Sequence, residues 1–479
     1  MPAPVNSMAA LTGLVEGRLL GDGAIEVTDA THDSRQARDG SLYIAVVGNR
    51  VDGHDFATGA VAGGAVGLVV ERELSLPVPQ IIVTNSRTAM APLAAAIHGY
   101  PSYEMAIIGI TGTNGKTTVT HFLEAIAHSA GRKCGLIGTI ETRLEGQVIP
   151  NPHTTPEATD FQRLLREMAD AGAEMVACEV SSHALALNRV DTTRFEVAAF
   201  TNLSQDHLDL HGSMDSYFEA KAQLFEMAEK KAIWIDDPYG TRLAARHQDA
   251  LLVGGGGSVR ATGVVSDTAG TSFLLHLPDG VVPVRTQIPG SFNLANALIA
   301  AAAAHLVEFS PKEIGDGLSG LSSVPGRFEI VSTRQGFSVV VDYAHTPEGI
   351  ASVIATARSL ARGRVIAVVG AGGDRDRAKR PAMGKAVSSA DLVVVTSDNP
   401  RTEDPEAIID QVMAGVDTPS VVRVSDRREA IAAALGSART GDVVLVLGKG
   451  HETGQEIAGV IHAFDDRQVV QGFLEGPTP

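Results

Sequence analysis

The run Thr111-Gly112-Thr113-Asn114-Gly115-Lys116-Thr117-Thr118 carries the side chains and backbone freedom that a polyphosphate needs. Backbone N–H groups of a glycine turn converge on an anion, and the start of a helix adds its positive pole. Lys116 supplies a full charge, and the Thr117 hydroxyl is of a kind that ligates Mg2+. An apolar strand-like run, Ala106–Thr111, precedes the turn, and a helix pattern, Lys116–Ala130, follows it. The strict phosphate-loop pattern wants glycine at position 110, which is isoleucine here, and Gly109 sits one place early. ATP is the expected ligand; a plain glycine turn with a solvated lysine is the alternative.

More chemistry lies downstream. The apolar run Met175–Val180 carries Glu179 and leads into Ser181-Ser182-His183, where a motor or transport ATPase would usually show a strand ending in aspartate. Beyond it come Asp206-His207 and, in a helix pattern over Tyr217–Phe225, Lys221. Taken singly, His207 reads as a loop or cap residue and Lys221 as a solvated helix lysine. Together with the phosphate turn, the set resembles the Mur ligase family, and the likeness runs over essentially the whole chain. These are ATP-dependent amide-forming enzymes of three domains, and folylpolyglutamate synthases belong among them.

The resemblance implies roles for particular residues. The stretch Gly112–Thr118 would hold ATP, with Lys116, His207 and Lys221 as the catalytic set. Two Mg2+ ions would be held by Thr117, Glu179, His207 and Lys221, the last as a CO2-derived carbamate (N6-carboxylysine). Asn293 and Asn296 match positions near adenine, Arg327 an arginine that reaches the phosphates, and Asp342 a ribose-contacting carboxylate. Divalent cations make chemical sense here, because the γ-phosphate and a substrate carboxylate repel each other as they meet.

Within the family the chain is most similar to members that add the third residue of the peptidoglycan stem peptide. Ser34, in Asp33-Ser34-Arg35, would contact the uridine diphosphate, and Asn49 stands where some relatives carry histidine. Thr154, Thr155, Ser181 and Arg189 would grip the muramoyl dipeptide; Thr155-Pro156-Glu157 also reads as a helix cap with proline at the first helical position. Asp398, Asn399, Pro400 and Arg401, with Arg375, Gly448 and Glu452, match contacts to meso-2,6-diaminopimelate. A buried arginine gains a bidentate partner from the distal carboxylate of diaminopimelate, whereas with lysine it would stay unpaired at a cost of ~2–5 kcal/mol. Glu452 would pair with the distal ammonium.

The implied reaction transfers the ATP γ-phosphoryl group to the D-glutamyl carboxylate of UDP-N-acetylmuramoyl-L-alanyl-D-glutamate, and the diamino acid then attacks the acyl phosphate. The alternatives are the same ligase with L-lysine or another diamino acid, and a folylpolyglutamate synthase-like ligase. His345 is a candidate base for the incoming amine, with a structural role as its alternative.

These groups must be positioned by layered α/β structure. Residues 1–104 read as a small mixed α/β domain for the UDP-substrate, with a helix pattern over Asp55–Gly67. Residues 105–328 read as a central phosphate-loop domain with a parallel sheet, and 329–479 as a Rossmann-like α/β domain for the incoming amino acid. The alternation of short apolar strands and helices beyond Pro325 carries no G-x-G-x-x-G after its first strand, so no dinucleotide site is expected there.

Composition narrows the functional classes. The 479 residues are 44% hydrophobic, enough for real cores, and only 4% aromatic with 50 glycines, which favours α/β layers with tight turns. A net charge of −17 makes a poor partner for nucleic acid or an anionic membrane. Two cysteines cannot build a disulfide framework. No Lys or Arg precedes Arg18, and apolar stretches such as Ala297–Ala304 fall far short of the ~18–20 residues a membrane span needs. A cytoplasmic monomer acting on small molecules is expected.

Overall fold

The computed structural model describes residues 5–48, 51–144, 146–149, 153–331 and 336–475, so Asn49 lies outside it. Three main sheets form, each wrapped by helices around its own core. The first has five strands: Gly17–Leu20 pairs antiparallel with Gln80–Val83, and Ala65–Val70, Ser41–Ile44 and Asp29–Thr31 follow in parallel. The helix Ser86–Ile97 covers it with a face of buried alanines. The helix expected over Asp55–Gly67 is shorter than its pattern. A 3-10 turn, Gly53–Phe56, leads into Ala57–Ala62, and Gly63 and Gly64 end it. Gly64 has φ +110°, and a Cβ there would lie 2.6 Å from the Asp39 backbone nitrogen, so only glycine makes that turn comfortably.

The central sheet has eight strands. Ala106–Thr111 lies between Phe195–Phe200 and Met175–Glu179, parallel to both, and its isoleucines are buried because helices cover both faces. Gly109 belongs to this strand and not to the phosphate turn: a Cβ on it would come 2.9 Å from the Phe195 ring. The parallel register puts the three C-terminal strand ends side by side, and the chain leaves them at Gly112, Val180 and Thr201. That is where an open α/β sheet forms its ligand crevice. Alanines of the helix Ser291–Leu306 let it pack closely beside Lys116–Ser129. An antiparallel three-stranded sheet forms over Arg260–Asp267, Gly270–Leu277 and Gly280–Thr286.

The last sheet has six strands. Glu329–Val331 is antiparallel at one edge, and Ser338–Asp342, Val443–Leu447, Val365–Val369, Leu392–Val395 and Val421–Arg423 run parallel in that spatial order. Their C-terminal ends deliver Asp342, Gly448, Gly370 and Asp398 to one rim. Arg427 braces that rim from beneath. Fully buried, it pairs with the equally buried Asp466 at 2.7 Å and donates to the carbonyls of Leu447 (3.0 Å) and Ser397 (3.4 Å).

Arg427→Ala leaves Asp466 as an uncompensated buried charge and is expected to destabilise this domain by about 3–5 kcal/mol. Thermal and urea unfolding check this; a midpoint unchanged from wild type would show that the brace is dispensable.

Candidate functional site

A cleft of about 1130 Å³ runs between the rims of the central and C-terminal sheets. Thr113, Asn114, Gly115, Lys116, Thr117 and Thr118 form one wall of it, with Thr154, Thr155, Glu179, Ser181, Arg189, His207 and Asn296. Arg327, Asp342, Arg375, Asp398, Asn399, Arg401, Gly448 and Glu452 line the opposite side. Gly112, Lys221, Asn293 and Pro400 sit behind this lining, and Ser34 lies apart from it on the 3-10 turn Ser34–Gln36.

The phosphate turn is held open by neighbours that no larger residue would tolerate. Gly112 has φ +149°, and a Cβ on it would overlap Thr201 Oγ1 at 1.8 Å. Gly115 has φ +92° and a Cβ would lie 2.3 Å from Asn296 Oδ1. Asn202 ties the turn down, its Oδ1 accepting from Asn114 N at 3.0 Å and its Nδ2 donating to Asn114 O at 3.0 Å. Lys116 folds over the turn, donating to the carbonyls of Gly112 and Thr113, each at 2.9 Å. Lys221, 2% exposed on the helix Met214–Glu226, reaches the same Gly112 carbonyl from below at 2.8 Å. Desolvation, then the Lys116 charge, pulls its amine well below the ordinary lysine range.

Glu179 is buried at its strand end, where Thr139 donates to both carboxylate oxygens, from its backbone N at 2.8 Å and its hydroxyl at 2.9 Å. His207 stands in the left-handed region at φ 53° and keeps 43% of its side chain open to the cleft. The surrounding walls desolvate its ring and press its pKa down to about 3, so the imidazole is neutral and able to ligate a cation. Among the described residues no three His, Cys, Asp or Glu side chains are grouped to hold a metal unaided. A hydroxyl, a carboxylate and a neutral imidazole nonetheless suit a divalent cation completed by phosphate oxygens, so the donor set fits Mg2+.

Several residues stand differently from their sequence-based expectation. Thr155 does not cap a helix: that helix begins at Ala158, and the Thr155 hydroxyl donates to Glu179 O at 2.8 Å and accepts from Ser181 N at 3.1 Å. Arg189 is already paired with Glu157 at 2.9 Å and donates to Thr155 O at 3.0 Å. Asn293 does not face the cleft; it bonds Pro289 O at 2.8 Å and backs Asn296 at 3.5 Å. Burial pushes the Asp342 carboxyl up in pKa, and its oxygens accept from Phe328 N (2.6 Å) and Ala344 N (2.7 Å), fixing the strand exit. Arg401 is neither fully buried nor unpaired. With its side chain 22% exposed, it donates to Gly373 O at 2.6 Å and pairs with Glu456 at 3.3 Å, a partner supplied by the hairpin Gly454–Ile457/Val460–Ala463. One oxygen of Glu452 is shared by Lys449 (3.0 Å) and Asn399 (2.8 Å).

Arg327 crosses the cleft, its guanidinium donating to Thr117 Oγ1 at 3.1 Å while lying over the Tyr343 ring. Sequence reasoning missed Thr139, Lys379 and Lys449, and met Asp206 only as the neighbour of His207. Thr139 and Lys379 gave no signal, since a loop threonine and a helix-start lysine are ordinary in either place.

Comparison with known proteins agrees with this geometry. Residues 26–99 match the Mur ligase family catalytic domain, 110–304 the Mur ligase middle domain and 326–450 the Mur ligase glutamate ligase domain. The chain belongs to the Mur ligase family. It is 46% identical over 458 residues to the UDP-N-acetylmuramoyl-L-alanyl-D-glutamate–2,6-diaminopimelate ligase of Geobacillus thermodenitrificans, covering 92% of this chain and 94% of that one. A protein of the same name from Gloeobacter violaceus is 44% identical with 99% of each chain covered. Among solved structures, a ligase of that name superposes with TM-score 0.70 at 31% identity over 99% of both chains. The MurF ligase of Thermotoga maritima in complex with ADP, 20% identical with TM-score 0.67 and 94% and 97% coverage, shares the fold. So does Mycobacterium tuberculosis folylpolyglutamate synthase, 20% identical with TM-score 0.63, over 76% of this chain and 92% of that one.

Gly112→Ala must displace Thr201 from a strained turn and is expected to weaken ADP binding about tenfold or more. Titration calorimetry on the folded variant checks this, and wild-type affinity would mean that the turn accommodates a methyl group.

Proposed function

We propose that this protein is an ATP-dependent acid–amino acid ligase that joins meso-2,6-diaminopimelate to the D-glutamyl carboxylate of UDP-N-acetylmuramoyl-L-alanyl-D-glutamate. The observation that carries the reading is one cleft in which the phosphate turn, Glu179 and His207 face Asp398–Arg401 across the domain boundary. The family match supports ATP-dependent ligation, and relatives at 41–46% identity carry the diaminopimelate ligase name.

Residues 1–104 bind the UDP end, with Ser34 at that end. Residues 105–328 hold ATP, and residues 329–479 bring the amino acid. Lys116 releases the Gly112 and Thr113 carbonyls to follow the γ-phosphoryl group, and the backbone N–H groups of Gly112–Thr118 hold the remaining phosphates. Arg327 steadies the transferring charge from the opposite side of the cleft. Asn296 and Asp342 border the nucleoside. Thr154, Thr155, Ser181 and Arg189 hold the dipeptide, whose carboxylate competes with Glu157 for Arg189.

Thr117, Glu179, His207 and the carbamate of Lys221 would hold two Mg2+, which offset the repulsion between phosphate and carboxylate. On the acceptor side, Arg401 exchanges Glu456 for the distal carboxylate of diaminopimelate, and the free oxygen of Glu452 meets the distal ammonium. Arg375, exposed and without a hydrogen-bonding partner among the described residues, is available to the same substrate. Because Arg401 has a resident partner, discrimination against lysine comes from what diaminopimelate gains and less from an orphaned cation. The enzyme works in the cytoplasm, as a monomer.

Phosphate release with ATP, Mg2+ and the UDP-muramoyl dipeptide is expected with meso-diaminopimelate and at most weakly with lysine or ornithine. A lysine preference would defeat the assignment. Arg401→Ala should cut kcat/KM for diaminopimelate at least ~30-fold while leaving the KM for ATP within about threefold, the loss of one charged bidentate contact. Lys221→Ala should lose about 100-fold or more in kcat, partly restored by short carboxylates that replace the carbamate. Full activity without any added carboxylate would rule the carbamate out.

A further inference from the structure

Asp206 stands beside His207 in the sequence without a role of its own, yet in the cleft its carboxylate meets His207, His345 and Lys379. It follows the strand Phe195–Phe200 and is 6% exposed. Its Oδ1 accepts from the His207 backbone N at 3.0 Å and lies 3.3 Å from Lys379 Nζ. Its Oδ2 lies 3.4 Å from His207 Nε2 and 3.8 Å from His345 Nε2. Lys379 opens the helix Lys379–Val387 and His345 follows the strand Ser338–Asp342, so both come from the C-terminal domain. Lys379 is nearly enclosed, with 11% of its side chain exposed, and Asp206 is its one hydrogen-bond and ion-pair partner among the described residues.

We propose that Asp206 is a positioning residue that couples docking of the C-terminal domain to the placement of His207. The inference rests on the reading of His207 as a working residue of the ligase cleft. His207 holds a left-handed backbone conformation that side-chain-bearing residues disfavour, and the Asp206 carboxylate bonded to its own N–H helps to hold it there. The same carboxylate is buried and needs cationic partners to stay so, and the opposite domain provides Lys379. Withdrawal of that domain strands the carboxylate, which must then turn toward water or toward His207. Docking therefore fixes Lys379 at the cleft and His207 in its working position through one group. The physical expectation is that Asp206 and Lys379 act as a unit.

The test uses the full-length enzyme with Asp206→Asn, Lys379→Met and the double variant. Asparagine keeps the shape and an acceptor for the His207 N–H but removes the charge. The two substitutions lie in different domains, so misfolding of one leaves the other informative. Each single variant is expected to lower kcat by about 30–100-fold with the KM for ATP changed less than about threefold. The double variant should fall no more than about threefold below the slower single one. Losses that multiply, a loss confined to the KM for ATP, or a kcat within about twofold of wild type would each overturn the latch. Hydrogen exchange supplies a readout that does not need turnover. Amides over residues 202–212 should exchange faster in both single variants, to the same extent and without further increase in the double; unchanged or additive exchange rejects the coupling. A wild-type enzyme that releases no phosphate with any diamino acid would remove the functional reading, and the exchange result would still decide the latch.

Discussion

Two lysine amines converge on one backbone oxygen. Lys116 and Lys221 both donate to the Gly112 carbonyl, at 2.9 and 2.8 Å, Lys221 from a buried position and Lys116 half-buried at the cleft wall. Two full positive charges cannot share such a spot at acceptable cost, because desolvation and mutual repulsion act in the same direction. Desolvation lowers the pKa of both amines; the Glu179 carboxylate partly offsets this for Lys116, whereas the charge of Lys116 adds to it for Lys221. Both amines are pulled below the ordinary lysine range, Lys221 the further.

The rest of the architecture serves that small region by topology. A parallel register sets the strands Phe195–Phe200, Ala106–Thr111 and Met175–Glu179 side by side, so loops distant in sequence leave the sheet together. Glycine is required where Thr201 and Asn296 press against the turn, and that pressure fixes the loop before any ligand arrives. Opposite, the C-terminal sheet presents its own strand ends, braced by the buried Arg427–Asp466 pair.

Charge is arranged against the global balance. The chain carries −17 overall, yet Lys116, Lys221, Arg327 and Lys379 gather at the cleft. Their partners in this structure are carbonyls, a hydroxyl and Asp206, each of which can be exchanged for a ligand oxygen or retained across the domain boundary. Arg189 with Glu157 and Arg401 with Glu456 are likewise held by a resident carboxylate that neutralises each guanidinium.

Local chemistry was legible in the sequence because it is local. The residue pattern of the phosphate turn is written within a few positions, and so are those of the strand before it, the helix after it and the Asp398–Arg401 turn. The family resemblance carried the distant matches, such as Glu179, His207 and Lys221, onto the chain, and the fold class followed from alternating apolar runs. Partnership was a different matter. That Thr155 grips the Glu179 carbonyl instead of capping a helix, that Asn293 stands behind Asn296, and that Arg401 already has a carboxylate are outcomes of tertiary packing. Asp206 and Lys379 are 173 positions apart, and no periodicity links them. Sequence spacing sets which groups a segment can offer; only the folded sheets decide which of them meet, because a charge interaction depends on distance through space and on the water that burial removes.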